Sequence, residues 1–343
     1  MTSSDLMQPL RFSLIGAGGI AQTHLQAISK SDMAELVAVV DTRPDACRAV
    51  SDAFGCSAFG SIDSMLRTCH CDAALVCTPP STHPAICREL ASNGIHVLCE
   101  KPIAIDLPSA KSMFETAHAS KTILAMASKF RYVADMVFAK QLITSGVIGD
   151  VLLFENTFAG HVDMTRRWNS NPEISGGGVL IDNGTHSVDI LRYLLGPLVS
   201  IQAIEGIRHQ RIPVEDTVRI HAKTDRGVLA AMDLSWSINK QSPWWVSIYG
   251  TCGTILIGWK ESKYKRDVDS EWTMIGRGYD KLQAFKSQLD NFCLAIIGEE
   301  PLLITSEDAL ASVEAIHGAY ESMKHHNWVQ VHAYPSSALR VVS

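Results

Sequence analysis

Two clusters in this sequence pair an acid with a base at spacings that suit proton chemistry. The first, Glu100-Lys101-Pro102, closes a short apolar run from Ile95 to Cys99. Such a run reads as a buried strand, and in an open parallel sheet ligands bind beyond the carboxyl ends of the strands. Proline stops the strand there and projects the lysine from a rigid corner. The second is Asp182-x-x-x-His186, in an apolar-periodic segment that follows Gly176-Gly177-Gly178 and stops at Gly196-Pro197. Residues four apart share one helical face, and Asp189 extends that stripe by another turn. An imidazole titrating near neutrality, one turn from an acid that the helix dipole keeps ionised, is a candidate proton acceptor. Gly184 lies between the pair; glycine costs a helix about 1 kcal/mol relative to alanine, so it is expected to leave room for a ligand. Each cluster also has a plain alternative: a surface Lys–Glu pair at a strand end, and a solvated i, i+4 pair on a helix.

A third pattern supplies a partner for such groups. Gly16-Ala17-Gly18-Gly19-Ile20-Ala21 matches G-x-G-x-x-A between an apolar run, Arg11 to Gly16, and a helically periodic one, Ile20 to Ser29. Gly16 permits the tight turn, Gly18 lets the backbone approach a pyrophosphate, and the small Ala21 lets the helix pack close to the strand. Unpaired N–H groups at the helix start, from Gly19 and Ile20 onward, then meet the phosphates. A second apolar run, Leu36 to Val40, ends in Asp41 about 20 residues on, where the fingerprint places the acid that accepts ribose hydroxyls. That carboxylate repels a 2′-phosphate and favours NAD; Arg43 can lie on the adenine or meet such a phosphate, which keeps NADP as a second option. Thr78-Pro79-Pro80 follows the apolar run Asp72 to Cys77, so Thr78, Pro79 and His83 either line the nicotinamide or form a stiff loop. Glu100 and Lys101 lie on the same sheet edge. His24 is expected to be packed or solvent-facing.

The elements that must position these groups follow from the same runs. Helices are expected at Pro44 to Phe54, Ile62 to Arg67 and Leu107 to Ala119, with Ser81 or Thr82 capping the helix that carries Pro84 and with Asp106 capping the last. A further strand covers Thr122 to Ala127. Strands and helices alternating with short connections specify a doubly wound parallel sheet. After residue 130 the pattern changes. A helix at Ala134 to Ser145 precedes β-rich runs at Val151–Phe158, Leu198–Ile207, Thr217–Ala222, Gly227–Ser237, Trp244–Tyr249 and Thr254–Trp259. Their in–out alternation and turn residues suggest a meander, hence a mainly antiparallel sheet. Helices return at Leu282–Ile297 and Ser306–Lys324. The expected organisation is a dinucleotide-binding α/β domain over 1–130 and an α+β substrate domain over 131–334, with a loosely held tail over 335–343. An open sheet this wide leaves one face to be covered, so a homodimer or homotetramer through it is expected.

Length and composition agree: 343 residues, 46% hydrophobic and 19% charged, call for two globular domains. A net charge of −6 (30 minus 36) without a basic run argues against nucleic-acid binding. No apolar stretch reaches the roughly 18–20 residues of a membrane span, and residues 1–10 lack a signal-peptide pattern. Nine scattered cysteines suggest a reducing, cytoplasmic setting with free thiols. Cys69-His70-Cys71 is too tightly spaced for zinc, and no metal is expected.

Together the ordered motifs Gly16-x-Gly18-x-x-Ala21, Thr78-Pro79-Pro80, Glu100-Lys101-Pro102 and Gly176-Gly177-Gly178 before Asp182-x-x-x-His186 resemble the glucose–fructose oxidoreductase, inositol dehydrogenase and rhizopine-catabolism family (Gfo/Idh/MocA). The resemblance spans nearly the whole chain. It implies a Rossmann domain joined to an open-sheet domain, and NAD-dependent oxidation of a secondary hydroxyl of a sugar, inositol or sugar derivative. His186 would be the general base, Lys101 would polarise the carbinol oxygen, and Asp182 would hold the substrate or orient the pair. Where relatives carry an Asn/Arg segment, this chain reads Ser128-Lys129-Phe130-Arg131-Tyr132. Lys129 and Arg131, with Arg166, Arg167 and Trp168, are therefore candidates for binding an anionic group on the substrate, unless the arginines pair with Asp163 and Glu173. Two other functions remain open: an NADPH-dependent keto-sugar reductase, and a non-catalytic dinucleotide sensor.

Overall fold

The structure is a computed structural model and describes residues 8–332; the expected tail at 335–343 lies outside them. The first sheet is built from β1 (Leu10–Ile15), β2 (Ala34–Val40), β3 (Ser57–Phe59), β4 (Ala73–Val76), β5 (His96–Glu100) and β6 (Leu124–Ala127), ordered β3-β2-β1-β4-β5-β6. Every pairing is parallel. The crossovers are α1 (Ala21–Ile28), α2 (Pro44–Phe54), α3 (Ile62–Thr68), α4 (His83–Ser92) and α5 (Leu107–Ala119). Strands buried on both faces explain the unbroken apolar runs. β3 escaped the reading because it is three residues long, lies at the edge and buries nothing fully.

Local chemistry decides the helix starts. Asp106 accepts from the Ser109 amide and caps α5 as expected. Thr82 does not cap α4; its hydroxyl donates instead to Thr78 Oγ1 and the Pro79 carbonyl, inside a 3-10 turn over Pro80–Thr82.

The second half carries α6 (Ala134–Thr144), β7 (Val151–Ala159), α7 (Pro172–Ser175), α8 (Val179–Leu195), β8 (Leu198–Glu205), β9 (Thr217–Thr224), β10 (Leu229–Ser235), β11 (Trp244–Gly250), β12 (Gly253–Gly258), β13 (Ser262–Arg266), β14 (Thr273–Gly276), α9 (Lys281–Ile296), α10 (Ser306–His325) and β15 (Val329–Gln330). Its nine strands run β14-β13-β12-β11-β7-β10-β9-β8-β15. This is not a simple meander. β7 inserts between β10 and β11 and runs parallel to β10. Alternation specifies which face a side chain takes, not which strand lies beside it. The insertion is pinned by Asn156, whose amide donates to the Trp245 carbonyl of β11 while its carbonyl accepts from Ser187 of α8.

Packing crosses the boundary expected near residue 130. Phe285, Leu289 and Phe292 of α9 share a core with Phe12 and Leu98 of the first sheet and Leu25 of α1. Ala309 and Val313 of α10 join Val97, Met113 and Met126, while Ala315, Ile316 and Ala319 one face away enter the core of the second sheet. Among the described residues no helix is long and apolar enough to cross a membrane, and no cluster of three or more His, Cys, Asp or Glu is placed to hold a metal ion.

One buried charge cluster ties the chain just past β6 to two helices of the second half. Arg131, expected to meet a substrate anion, is 0% exposed and does not line the cavity described below. Its guanidinium donates to Asp189 Oδ1 at 2.6 and 2.9 Å, to Asp308 Oδ2 at 2.9 Å and to the Leu303 carbonyl at 3.1 Å. Ser128 donates to the other Asp189 oxygen, and Arg192 lies 3.5 Å from Asp308. Burial alone would push the Asp308 carboxyl up, yet Arg131 and Arg192 hold it below the usual range. The residues after β6, helix α8 and helix α10 are thus joined through one cation. Replacing Arg131 with Met strands two buried carboxylates and should cost about 3–5 kcal/mol of stability in urea unfolding. A loss below about 1 kcal/mol would show that the cluster relaxes into water.

Candidate active site

The glycine turn lies against the loop after β4. At Gly16, with φ +90°, a Cβ would come within 2.8 Å of Thr78 Cγ2 and 3.0 Å of the Cys77 carbonyl, so only glycine serves there. At Gly18 and Gly19 a Cβ would meet nothing within 4 Å, and both residues face a cavity together with Ile20. That open strip of backbone, leading into α1 at Ala21, fits the pyrophosphate of a dinucleotide. At the end of β2, Asp41 accepts from the Ala17 amide at 2.8 Å and from the Arg43 amide and guanidinium at 2.8 to 3.0 Å. Although burial opposes it, these donors hold the Asp41 carboxyl below its ordinary value. Arg43 thus folds back onto the acid.

Of the residues in the loop after β4, Thr78 lines the cavity and Pro79 does not. His83 is fully buried, its ring nitrogens 2.9 and 3.0 Å from the carbonyl oxygens of Thr78 and Pro102. It clamps the two strand-end loops together instead of facing a cofactor, and burial pushes its pKa down. His24, given no role from the sequence, is buried in α1, its Nε2 2.8 Å from Glu100 Oε1. Its position one turn into α1, just past the glycine turn, was the available signal. Burial raises the Glu100 carboxyl, but His24, Lys129 and Lys101 bring it below the ordinary range.

Lys101 reaches across to α8, donating to the Asp182 carboxylate and to the Asp182 carbonyl at 3.0 Å. The start of α8 is packed to a tolerance that explains the three glycines. A Cβ at Gly177 would lie 1.9 Å from Tyr320 Oη, and one at Gly178 would lie 2.0 Å from the Glu215 carbonyl oxygen. Glu215, also missed from the sequence, accepts from the amides of Gly178 and Leu180 and from Tyr320, so it closes the helix start. Gly184 does not make room for a ligand: a Cβ there would press on Ile316, Leu180 and Leu234 at 3.1 to 3.2 Å, so it serves the core.

His186 lies one turn after Asp182 and is 6% exposed. Its ring meets Phe130 edge-on, with centroids 4.9 Å apart, and its Nε2 is 3.5 Å from Lys129 Nζ. Nδ1 has no partner. Burial first, then the charges of Lys129 and Lys101, drive its pKa well below the usual value, so the imidazole is neutral. Burial and the neighbouring Lys101 also bring Lys129 down to about 8. Lys101, Lys129, Asp182 and His186 all line the same cavity of about 1040 Å³ as Gly18, Gly19 and Thr78. Phe158, Trp236 and Trp259 add an aromatic wall, and Arg166, Arg167 and Trp168 an exposed rim. Among the described residues neither arginine of that rim forms an ion pair.

Comparison with known proteins agrees with this geometry. Residues 10–128 match a family model described as an oxidoreductase family with an NAD-binding Rossmann fold, and residues 136–256 match a GFO/IDH/MocA C-terminal domain. The chain is 26% identical over 334 residues to inositol 2-dehydrogenase of Rhizobium meliloti, covering 92% of this chain and 97% of that protein. Its fold is similar to levoglucosan dehydrogenase in complex with NADH and levoglucosan, with a TM-score of 0.87 at 21% identity over 94% and 100% of the two chains. It is also similar to the WlbA dehydrogenase of Bordetella pertussis in complex with NADH and UDP-GlcNAcA, with a TM-score of 0.82 at 24% identity over 95% and 98%. The Rossmann domain binds NAD. Replacing Asp41 with Ala should weaken NADH binding about 10- to 100-fold in a fluorescence titration, the worth of hydrogen bonds to a charged group. An unchanged affinity would put the ribose elsewhere.

Proposed function

The chain belongs to the GFO/IDH/MocA family of NAD-binding oxidoreductases, and we propose that it oxidises a secondary hydroxyl of a sugar, an inositol or a sugar derivative. One observation carries this reading: an ammonium from the end of β5 and a neutral imidazole from α8 face one cavity beside the glycine turn. When bound, NAD supplies the hydride acceptor. Gly18, Gly19, Ile20 and the start of α1 hold its pyrophosphate, Asp41 its adenosine ribose, and Thr78 borders the nicotinamide end. Lys101, held by Asp182, donates to the carbinol oxygen and stabilises the charge that gathers there. His186 takes the hydroxyl proton; its depressed pKa keeps it unprotonated and ready. Asp182 therefore orients Lys101 in preference to gripping the sugar. The aromatic wall suits the apolar face of a sugar ring.

The free cations at the rim support a substrate that carries an anion. No salt bridge among the described residues joins Arg166 or Arg167 to Asp163 or Glu173, although the charge of Arg166 helps hold the Asp163 carboxyl down, and WlbA, of similar fold, was crystallised with UDP-GlcNAcA. Arg43 lying on Asp41 favours NAD over NADP as the working cofactor. Leu153, Leu229 and Ile204, 47% to 53% exposed on the open face of the second sheet, support a homodimer through that face. Nine free thiols, all but Cys252 buried or half-buried, support a cytoplasmic setting.

A panel of polyols, aldoses, sugar phosphates and nucleotide sugars read by nicotinamide absorbance tests the reaction, and equal turnover of a sugar and its phosphate would remove the case for an anion. Lys101→Ala should lower kcat by roughly a hundredfold or more while NADH affinity stays within about twofold; a protein with no turnover on any of the panel would be a sensor. Light scattering should return about two or four times the chain mass, and a monomer would leave the open face without a partner.

A further inference from the structure

The proton taken by His186 has to go somewhere, and the surroundings of that ring limit the routes. A histidine that keeps a second proton normally has an anion or a carbonyl behind it. His186 has neither: among the described residues Nδ1 is buried and unpartnered, and the carboxylates one turn away on α8, Asp182 and Asp189, are engaged by Lys101 and Arg131. The ring is otherwise walled by Phe130 and Phe158. Among the described residues the side chain in contact with Nε2 is Lys129, its Nζ 3.5 Å away. Lys129 itself forms no ion pair at salt-bridge distance among the described residues and lies over the rings of Phe130 and Phe285.

We propose that Lys129 is a proton-carrying residue of the reaction, passing the substrate's hydroxyl proton from His186 to water in the cavity. This rests on the dehydrogenase reading above. Oxidation of a carbinol releases one hydride, taken by the oxidised nicotinamide, and one proton. The O–H bond breaks as Nε2–H forms; the proton then moves to the lone pair of the Lys129 amine, making an ammonium, and leaves from there. His186 returns to its neutral state with Nδ1–H unchanged throughout. Run backwards, the ammonium reprotonates the ring, and a ketone is reduced.

The same contact makes Lys129 a gate. As an ammonium it donates to Nε2 and occupies the lone pair that the substrate proton needs. As an amine it frees that lone pair. The groups facing it set the balance: burial and Lys101 favour the amine, Glu100 opposes them, Lys281 from α9 favours it again and Asp182 opposes, leaving a pKa of about 8. Because the amine is the working form, sugar oxidation should rise with pH and level off above about 8, and ketone reduction should fall over the same interval.

Two readouts test this, the first on the free protein. In protein labelled with [6-13C]lysine, the Lys129 Cε resonance, assigned by its loss in Lys129→Met and so told apart from that of Lys140, which burial also brings down to about 8, should titrate near 8. In that variant the His186 ring should titrate at higher pH than in the parent. A Lys129 that titrates at the free value of about 10.4 overturns the proposal whatever the substrate. The second readout uses myo-inositol or methyl α-D-glucoside, whichever reduces NAD. Lys129→Arg keeps a permanent cation on Nε2 and should be about tenfold or more slower at about pH 9 than Lys129→Met, whose rise with pH disappears. If the Arg variant matches or exceeds the Met variant, Lys129 binds substrate charge and carries no proton. Absence of turnover with both sugars bears on the dehydrogenase reading alone, since the lysine titration needs no substrate.

Discussion

Burial of α8 is the constraint from which the rest follows. The helix is wrapped on nearly every side, so any charge it carries must be matched inside the protein. Asp189 is matched by Arg131, which also takes Asp308 from α10. That match fixes the height of α8 against the end of β6 and with it the stations of Asp182 and His186. Lys101 then needs only its own length to reach Asp182. A charge cluster away from the cavity therefore sets the geometry of the groups that line it.

At the base of the site two lysines face two carboxylates in a largely buried space. Lys101 and Lys129 stand over Glu100 and Asp182, with His24 behind Glu100. Burial, with the charge of Lys101, disfavours a protonated imidazole at His186, and the same charge would favour an oxygen becoming negative beside it. Lys129 adds a titrating group beside the imidazole of His186.

Much of this was legible in the sequence where one local rule governs one outcome. The glycine turn, Asp41 at the end of β2, Asp106 at the start of α5 and the span of α8 all follow from backbone sterics, capping or periodicity. What escaped depended on neighbours distant in sequence. Arg131 looks like a substrate ligand until Asp308, 177 positions away, is beside it. Gly184 looks like space for a ligand until Ile316 fills it. His83 and Lys129 are both polar residues just past strand ends. Only packing shows that one is sealed between carbonyls while the other opens to the cavity. The parallel pairing of β7 with β10 belongs to the same class, since strand patterns do not encode neighbours.

The account stands on Lys101 and His186 acting on one oxygen. A crystal structure of the ternary complex with NADH and a sugar drawn from the substrate panel measures this most directly. Both Lys101 Nζ and His186 Nε2 should lie about 3 Å from the same sugar oxygen, on the carbon that faces the nicotinamide. A sugar whose reacting oxygen contacts neither nitrogen, or only residues of the rim, would contradict it.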